Sequence, residues 1–186
     1  MSALPAPQFP PVVGESGAQR IVRIVRSFNN CSLSNRREEL AALVGRGVDD
    51  ESVVEWQTNC CTSALGILFA AGCGYSGLAL PLKNGLEFEL LEALGDYYSA
   101  WRTLAKDGPP KPGALCWYEI GGTNDDHVEW ELDNGDHGGG GRADNEITVE
   151  HGPVVQSLGR PMKAWLDPDA IGLPDAIAPD GGDPVA

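Results

Sequence analysis

Apolar residues recur along the chain with two different periods, and the change of period divides the sequence into two parts. In the first part the spacing is helical, and it predicts helices over 19–28, 35–44, 60–71 and 86–104. In the first of these helices the three arginines fall on the side opposite the apolar stripe (Arg20, Arg23 and Arg26). After the Pro-rich segment DGPPKPG the period is close to two, which predicts strands over 113–120, 127–132, 146–150 and 161–167.

Helices followed by strands predict an α+β fold in which the strands form an antiparallel sheet. The glycine-rich run DNGDHGGGGRADN between the second and third strands is predicted to be a long flexible loop. We expect an extended Pro-rich N-terminus over 1–15, one folded domain over 16–167, and an acidic tail rich in Pro and Gly over 168–186.

Composition and charge narrow the classes of partner. Apolar residues make up 42% of the 186 residues, which is enough for one buried core, and the formal net charge is −14. Such a charge argues against binding to nucleic acid or to an anionic membrane surface. The longest apolar run is far short of the ~20 residues of a membrane span. The first residues lack the features of a secretory signal, so we expect cytoplasmic synthesis and delivery by cell lysis, a phage particle or a secretion system.

The five cysteines, an odd number, give little support for a disulfide framework. The sequence has neither a CxxC pair nor an HExxH motif, so we expect no metal site. The segment QTNCCTSALGILFAAGCG instead gives one cysteine a distinctive place. Asn59 can cap a helix, Cys60 opens its first turn, and Gly72 can end it.

A thiol in the first turn of a helix is placed for nucleophilic chemistry. The helix dipole favours the thiolate, and unpaired N–H groups there can stabilise an oxyanion. His127 opens a predicted strand after a polar loop and is the candidate base. The residues alone leave a competing interpretation open, because a cysteine in a helix is commonly a small buried hydrophobe.

TNCCTSALGILFAAG resembles the nucleophile helix of the NlpC-type and CHAP-type cell-wall hydrolases, which are papain-like cysteine peptidases. PKPGALCWYEI followed by HVEWEL resembles the Pro-Gly strand of these families and the next strand, which opens with the catalytic histidine. The resemblance covers roughly residues 50–170. It implies a papain-like fold in which the nucleophile helix packs on a small antiparallel sheet, with Cys60 as nucleophile, His127 as base and no cofactor.

Three site assignments stay open beside this pair. Cys61 is the alternative nucleophile, although it lies about 100° further round the helix. The families orient their histidine with a polar side chain on the next strand. Asn145 is our first choice for that role because it opens that strand, and Glu129 is the alternative because it shares a strand face with His127. Gln57 is the candidate side-chain donor to an oxyanion.

Strand alternation sets a problem for this site. It puts Val128 and Trp130 on one face of the strand and His127 and Glu129 on the other, although the apolar face should meet the helix that carries Cys60. A strand start or a bulge could turn the imidazole inward. The other two histidines are expected in exposed loops (His137 and His151).

The resemblance implies hydrolysis of amide bonds in peptidoglycan stem peptides or cross-links, as an endopeptidase or amidase, through a thioester. Two alternatives remain. The fold could serve as a non-catalytic structural or binding module whose partner chains belong to a phage or delivery particle. The same dyad could instead carry out deamidation or transglutamination.

Overall fold

A seven-stranded sheet is the centre of the fold, and every strand pair in it is antiparallel. The structure is a computed structural model that describes residue 9 and residues 11–29, 31–32, 60–75, 87–119, 126–140, 146–152 and 160–174. Its helices are α1 (Gly17–Ser27), α2 (Cys60–Ala70), α3 (Glu87–Tyr97) and the short α4 (Leu104–Asp107). Its strands are β1 (Cys31–Ser32), β2 (Trp101–Arg102), β3 (Leu115–Tyr118), β4 (His127–Glu131), β5 (Asp136–Gly139), β6 (Glu146–His151) and β7 (Met162–Leu166).

The strand order β1-β6-β5-β4-β3-β7-β2 places β4 in the middle of the sheet. Helices α1 and α2 contact β4 and β5, and α3 packs beside α2. Residues of these helices and of the inner sheet face form one apolar core. The predicted α+β class with an antiparallel sheet is therefore confirmed.

Helix α1 begins at Gly17, two residues before the predicted start. Ser16 and Gln19 form a reciprocal capping box, and the apolar stripe is buried. The expectation that Arg20 faces away from the core is wrong, because its side chain is fully buried. Its guanidinium donates to the backbone oxygens of Ala71 at 2.9 Å and Pro174 at 3.0 Å. This side chain therefore ties the end of α2 to the C-terminal segment.

Helix α2 ends at the predicted glycine. Gly72 has a φ of +87°, the N–H of Cys73 donates to the oxygen of Leu68, and the N–H of Gly72 donates to that of Phe69. This pair of bonds is a Schellman motif, in which a left-handed residue closes the helix. The side chains of α2 are buried along almost its whole length, as its apolar sequence predicts.

The predicted helix over 86–104 is wrong beyond Tyr97. Ser99 adopts a φ of +52°, and the N–H of Ala100 donates to the oxygen of Gly95, so the chain turns there as it does after α2. Trp101 then enters β2 and lies so close to Gly95 that a Cβ on the glycine would collide with the indole ring. Contact with β7, which is distant in sequence, thus overrides the helical spacing.

The four predicted strands are confirmed as β3, β4, β6 and β7. The prediction that 133–145 is a loop is wrong over Asp136–Gly139, which forms β5 between β4 and β6. Helices approach the sheet closely there: a Cβ on Gly138 would lie 3.1 Å from Val25 Cγ1, and one on Gly140 2.6 Å from Ser63 Oγ. The glycines therefore let α1 and α2 pack closely on this part of the sheet.

Both predicted terminal segments contribute contacts to the domain. The ring of Phe9 lies 5.9 Å from that of Phe28, and Ile171 is buried in the core. Residues 168–174, the start of the predicted tail, therefore pack on the domain. The predicted helix over 35–44 lies outside the described residues.

Candidate active site

Cys60 is the first residue of α2, as predicted. Its Sγ lies 3.9 Å from the backbone oxygen of Asp126, at the start of β4. Ser63 donates a hydrogen bond to the backbone oxygen of Cys60 at 2.8 Å, which reinforces this first turn. Asn59 and Gln57, the predicted cap and oxyanion donor, lie outside the described residues.

The structure brings His127 to this thiol. His127 opens β4, is 4% exposed, and shares a side-chain hydrogen bond with Cys60. Its Nε2 lies 3.1 Å from Glu129 Oε1. An ionised carboxylate only accepts, so Nε2–H is the donor in this contact. Nδ1 is the ring nitrogen left for Cys60.

Glu129 completes the group as the orienting partner of His127. Its side chain is fully buried, on the same strand face as the imidazole. Gly139 lies beside it on β5, where a Cβ would be in ordinary contact with Glu129 Cγ at 3.5 Å. The alternative orienting residue of the sequence analysis thus contacts His127, whereas the first choice, Asn145, lies outside the described residues.

The charge state of His127 follows from two opposing effects. Burial lowers its pKa, but hydrogen bonds with Cys60 and Glu129 and the charges of both groups outweigh burial and raise the pKa to about 9. The ring is therefore an imidazolium at neutral pH. A cationic imidazole beside a cysteine is the environment in which thiolates occur in proteins.

The alternation of β4 is as predicted, but the burial of its polar face is not. Tyr118 pairs with His127 and Cys116 pairs with Glu129 across the β3–β4 ladder, and all four side chains are buried. The imidazole reaches Cys60 from the first position of the strand. Both faces of this part of the sheet are consequently covered.

The other described cysteine side chains have surroundings unlike those of Cys60. Cys61, the alternative nucleophile, is fully buried in the apolar core. Burial raises the pKa of Cys73 and raises that of Cys116 well above its usual value. Cys60 is 9% exposed and has the largest exposed fraction of the four. It is the one that both contacts a histidine and begins a helix.

His137 does not lie where its surrounding sequence predicts. It was expected in an exposed loop, but it is buried on β5, with Nε2 3.7 Å from Glu129 Oε2. The missed signal is the dipeptide Asn134-Gly135, whose residues have φ values of +62° and +74°. Positive φ at both central positions is what a type I′ hairpin turn requires, so this dipeptide predicts a hairpin of β4 and β5. His151 is exposed, as expected, but it is the last residue of β6 and does not lie in a loop.

Three further observations concern cofactors, membranes and relatives. Within the described ranges, no group of three or more His, Cys, Asp and Glu residues could hold a metal ion. None of the helices that the structure describes combines the length and the apolar character needed to cross a membrane. No family model, curated protein or solved structure matches the chain.

Proposed function

We propose that this chain is a papain-like cysteine hydrolase in which Cys60 is the nucleophile, His127 the acid and base, and Glu129 the residue that orients His127. The observation that carries the proposal is the hydrogen-bonded sequence Cys60–His127–Glu129 at the start of a buried helix. A nucleophile, a base within hydrogen-bond reach and a third group that orients the base are the requirements of covalent acyl transfer.

The reaction proceeds in two halves. The Cys60 thiolate attacks the carbonyl carbon of an amide, and N–H groups of the first turn of α2 stabilise the oxyanion. The His127 imidazolium then donates its proton to the leaving nitrogen, so that the C–N bond breaks and a thioester and a free amine remain. Neutral His127 next removes a proton from water, the resulting hydroxide attacks the thioester, and Cys60 leaves as the thiolate.

The substrate class comes from the resemblance to the NlpC-type and CHAP-type hydrolases. The substrates proposed are amide bonds in peptidoglycan stem peptides or cross-links, reached after cell lysis or after delivery by a phage or a secretion system. The order of helices before an antiparallel sheet, with Cys60 on a buried helix and His127 opening the central strand β4, supports the papain-like assignment.

The test is digestion of purified peptidoglycan by the full chain, followed by an assay for new amino groups and by mass analysis of the fragments. We expect amine release by the wild type and a loss of at least about 1,000-fold in Cys60→Ala. Cys61→Ala is the matched control, because it removes the neighbouring thiol from the core and should leave the rate within about threefold.

Other results would reject particular parts of the proposal. Equal amine release by the wild type and Cys60→Ala would exclude Cys60 as nucleophile, and loss in Cys61→Ala alone would assign that role to Cys61. Ammonia release without chain cleavage would indicate a deamidase or transglutaminase. Slow alkylation of Cys60 by iodoacetamide, at the rate of an ordinary thiol, would favour a non-catalytic module.

A further inference from the structure

His137 lies on β5, the strand next to the one that carries His127 and Glu129. The β4–β5 register pairs His137 with Glu131, so its side chain shares a sheet face with Glu129. The side chain of His137 is 9% exposed, and that of Glu129 is fully buried. Two strands that meet through a tight hairpin therefore bring a second histidine to the buried carboxylate.

Three oxygens face the ring nitrogens of His137. Nδ1 lies 3.2 Å from the backbone oxygen of Gly152. Nε2 lies 3.7 Å from Glu129 Oε2 and 3.9 Å from Glu150 Oε2. Because a backbone oxygen only accepts, Nδ1–H donates to Gly152, and Nε2 faces the two carboxylates at ion-pair distances longer than a hydrogen bond.

We propose that His137 is a positioning residue: it holds the Glu129 carboxylate in the orientation in which Oε1 binds His127. The proposal rests on the proposed function, in which His127 transfers protons to and from the substrate. The two oxygens of Glu129 then face different histidines: Oε1 is hydrogen-bonded to His127 at 3.1 Å, and Oε2 lies 3.7 Å from His137 Nε2, an ion-pair distance longer than a hydrogen bond. The sequence of contacts becomes Cys60–His127–Glu129–His137.

The physical reason is the cost of a buried carboxylate. A charge without water needs partners that fix it, and a group facing Oε2 limits rotation of the carboxylate away from His127. Gly152 anchors His137 through a backbone oxygen, so the position of His137 is set by the β5–β6 ladder and the turn after it. We therefore expect loss of His137 to act on the orientation of His127 and hence on kcat, with little effect on KM.

Two substitutions and one control separate positioning from simple burial. His137→Leu removes both donors, whereas His137→Gln keeps a donor near the place of Nε2. We expect kcat on peptidoglycan to fall about tenfold in the first and about threefold in the second, with KM within about twofold of the wild type. His151→Gln is the control, because that side chain is 80% exposed and contacts Asp136 instead. A folded His137→Leu variant with wild-type kcat would overturn the proposal.

A measurement without substrate keeps the test independent of the reaction and of the folding of the leucine variant. The Nε2 proton of His127 should give a downfield, slowly exchanging NMR signal because it is bonded to a buried carboxylate. We expect this signal to move upfield and to exchange faster in His137→Gln and to stay unchanged in His151→Gln. An unmoved signal in His137→Gln, or no such signal in the wild type, overturns the positioning role.

The two readouts also distinguish the two proposals. A displaced His127 signal in a chain without activity towards peptidoglycan would reject the proposed function and keep the contact between His137 and Glu129. Wild-type activity that depends on Cys60, combined with an unmoved His127 signal in His137→Gln, would keep the proposed function and reject the role of His137.

Discussion

The two faces of strand β4 are both buried, yet their chemistry is opposite. On the inner face Val128 and Trp130 are each 1% exposed and pack against the helices. On the outer face His127 is 4% exposed and Glu129 is fully buried, and His127 Nε2 binds Glu129 Oε1. Polar and apolar side chains are therefore both buried in this strand, on opposite faces.

The difference between the faces shows where stability and chemistry reside. Apolar burial lowers the free energy of the folded state without directional requirements. A buried carboxylate and imidazole lower it far less, because loss of hydration offsets much of their attraction. Reactivity explains such a pair, placed next to a cysteine at a helix start, more readily than stability does. Substitutions on the inner face should therefore change stability, and substitutions on the outer face should change reactivity.

Trp130→Ala gives the largest expected effect, and it acts on stability. Removing this fully buried indole from the inner face should lower the free energy of unfolding by about 3–5 kcal/mol, because it leaves a cavity in the core. Denaturant titration measures the loss. The rate of Cys60 alkylation in the folded variant should stay within about threefold of the wild type. A much larger fall in that rate would mean that the inner face also sets the geometry of the site.

Glu129→Gln tests the outer face through the ionisation of His127. The substitution keeps the shape of the side chain and removes the charge that helps to hold the pKa of His127 at about 9, so that pKa should fall towards its ordinary value. We expect kcat/KM to fall about 10- to 100-fold. An NMR titration of the His127 ring measures the pKa. An unchanged pKa would show that Cys60 alone keeps the ring protonated.

The same raised pKa fixes the sign of a stability effect. A histidine whose pKa is higher in the folded state contributes stability that is complete below about pH 6.5 and is lost as the pH rises through about 9. The free energy of unfolding of the wild type should therefore fall over that window, and Glu129→Gln should show a smaller fall. Exposed Glu92 supplies the control, Glu92→Gln, which should follow the wild type.

Local signals in the sequence account for the parts of the fold that were predicted correctly. Ser16 and Gln19 cap α1 through neighbouring backbone groups, and Gly72 ends α2 because a glycine readily adopts a positive φ. The alternation that predicts strands β3, β4, β6 and β7 is likewise a local signal. The placement of Cys60 at a helix start and of His127 at a strand start also depends on nearby residues alone.

Most of the wrong predictions involve contacts between distant residues; the exception is the β4–β5 hairpin, for which the dipeptide Asn134-Gly135 is a local signal. The turn after α3 has Ser99 and not a glycine at its positive-φ position, so the local sequence does not predict it. Pairing of Trp101 with Leu166 on β7 stabilises this turn. Asp136–Gly139 forms a strand by pairing with β4 and β6, and α1 and α2 pack so closely there that Gly138 and Gly140 have no room for a Cβ. The burial of Glu129 and His137 follows from the register of β4 and β5, which periodicity within one strand does not determine.

Glu131→Gln gives the smallest expected effect, and it tests whether every charged residue on the outer face of β4 belongs to the site. Glu131 is the third acidic or basic residue on that face, it pairs with His137 across the ladder, and it lies near Cys116 and Tyr118. Burial raises its pKa to about 7. The folded state thus favours the protonated form, and the stability from this group, complete below about pH 4.5, is lost as the pH rises through about 7.

Replacing the carboxyl of Glu131 with an amide should remove that pH dependence. Above about pH 7 the variant should be more stable than the wild type by on the order of 1 kcal/mol, a figure reduced for partial exposure to water, and below about pH 4.5 the two should agree. Urea titrations at both ends of the window measure the difference, with Glu92→Gln again as control. Because Glu131 has no place in the proposed proton transfers, kcat should stay within about twofold. A larger fall in kcat would mean that the charge of Glu131, transmitted through its neighbour His137, belongs to the site after all.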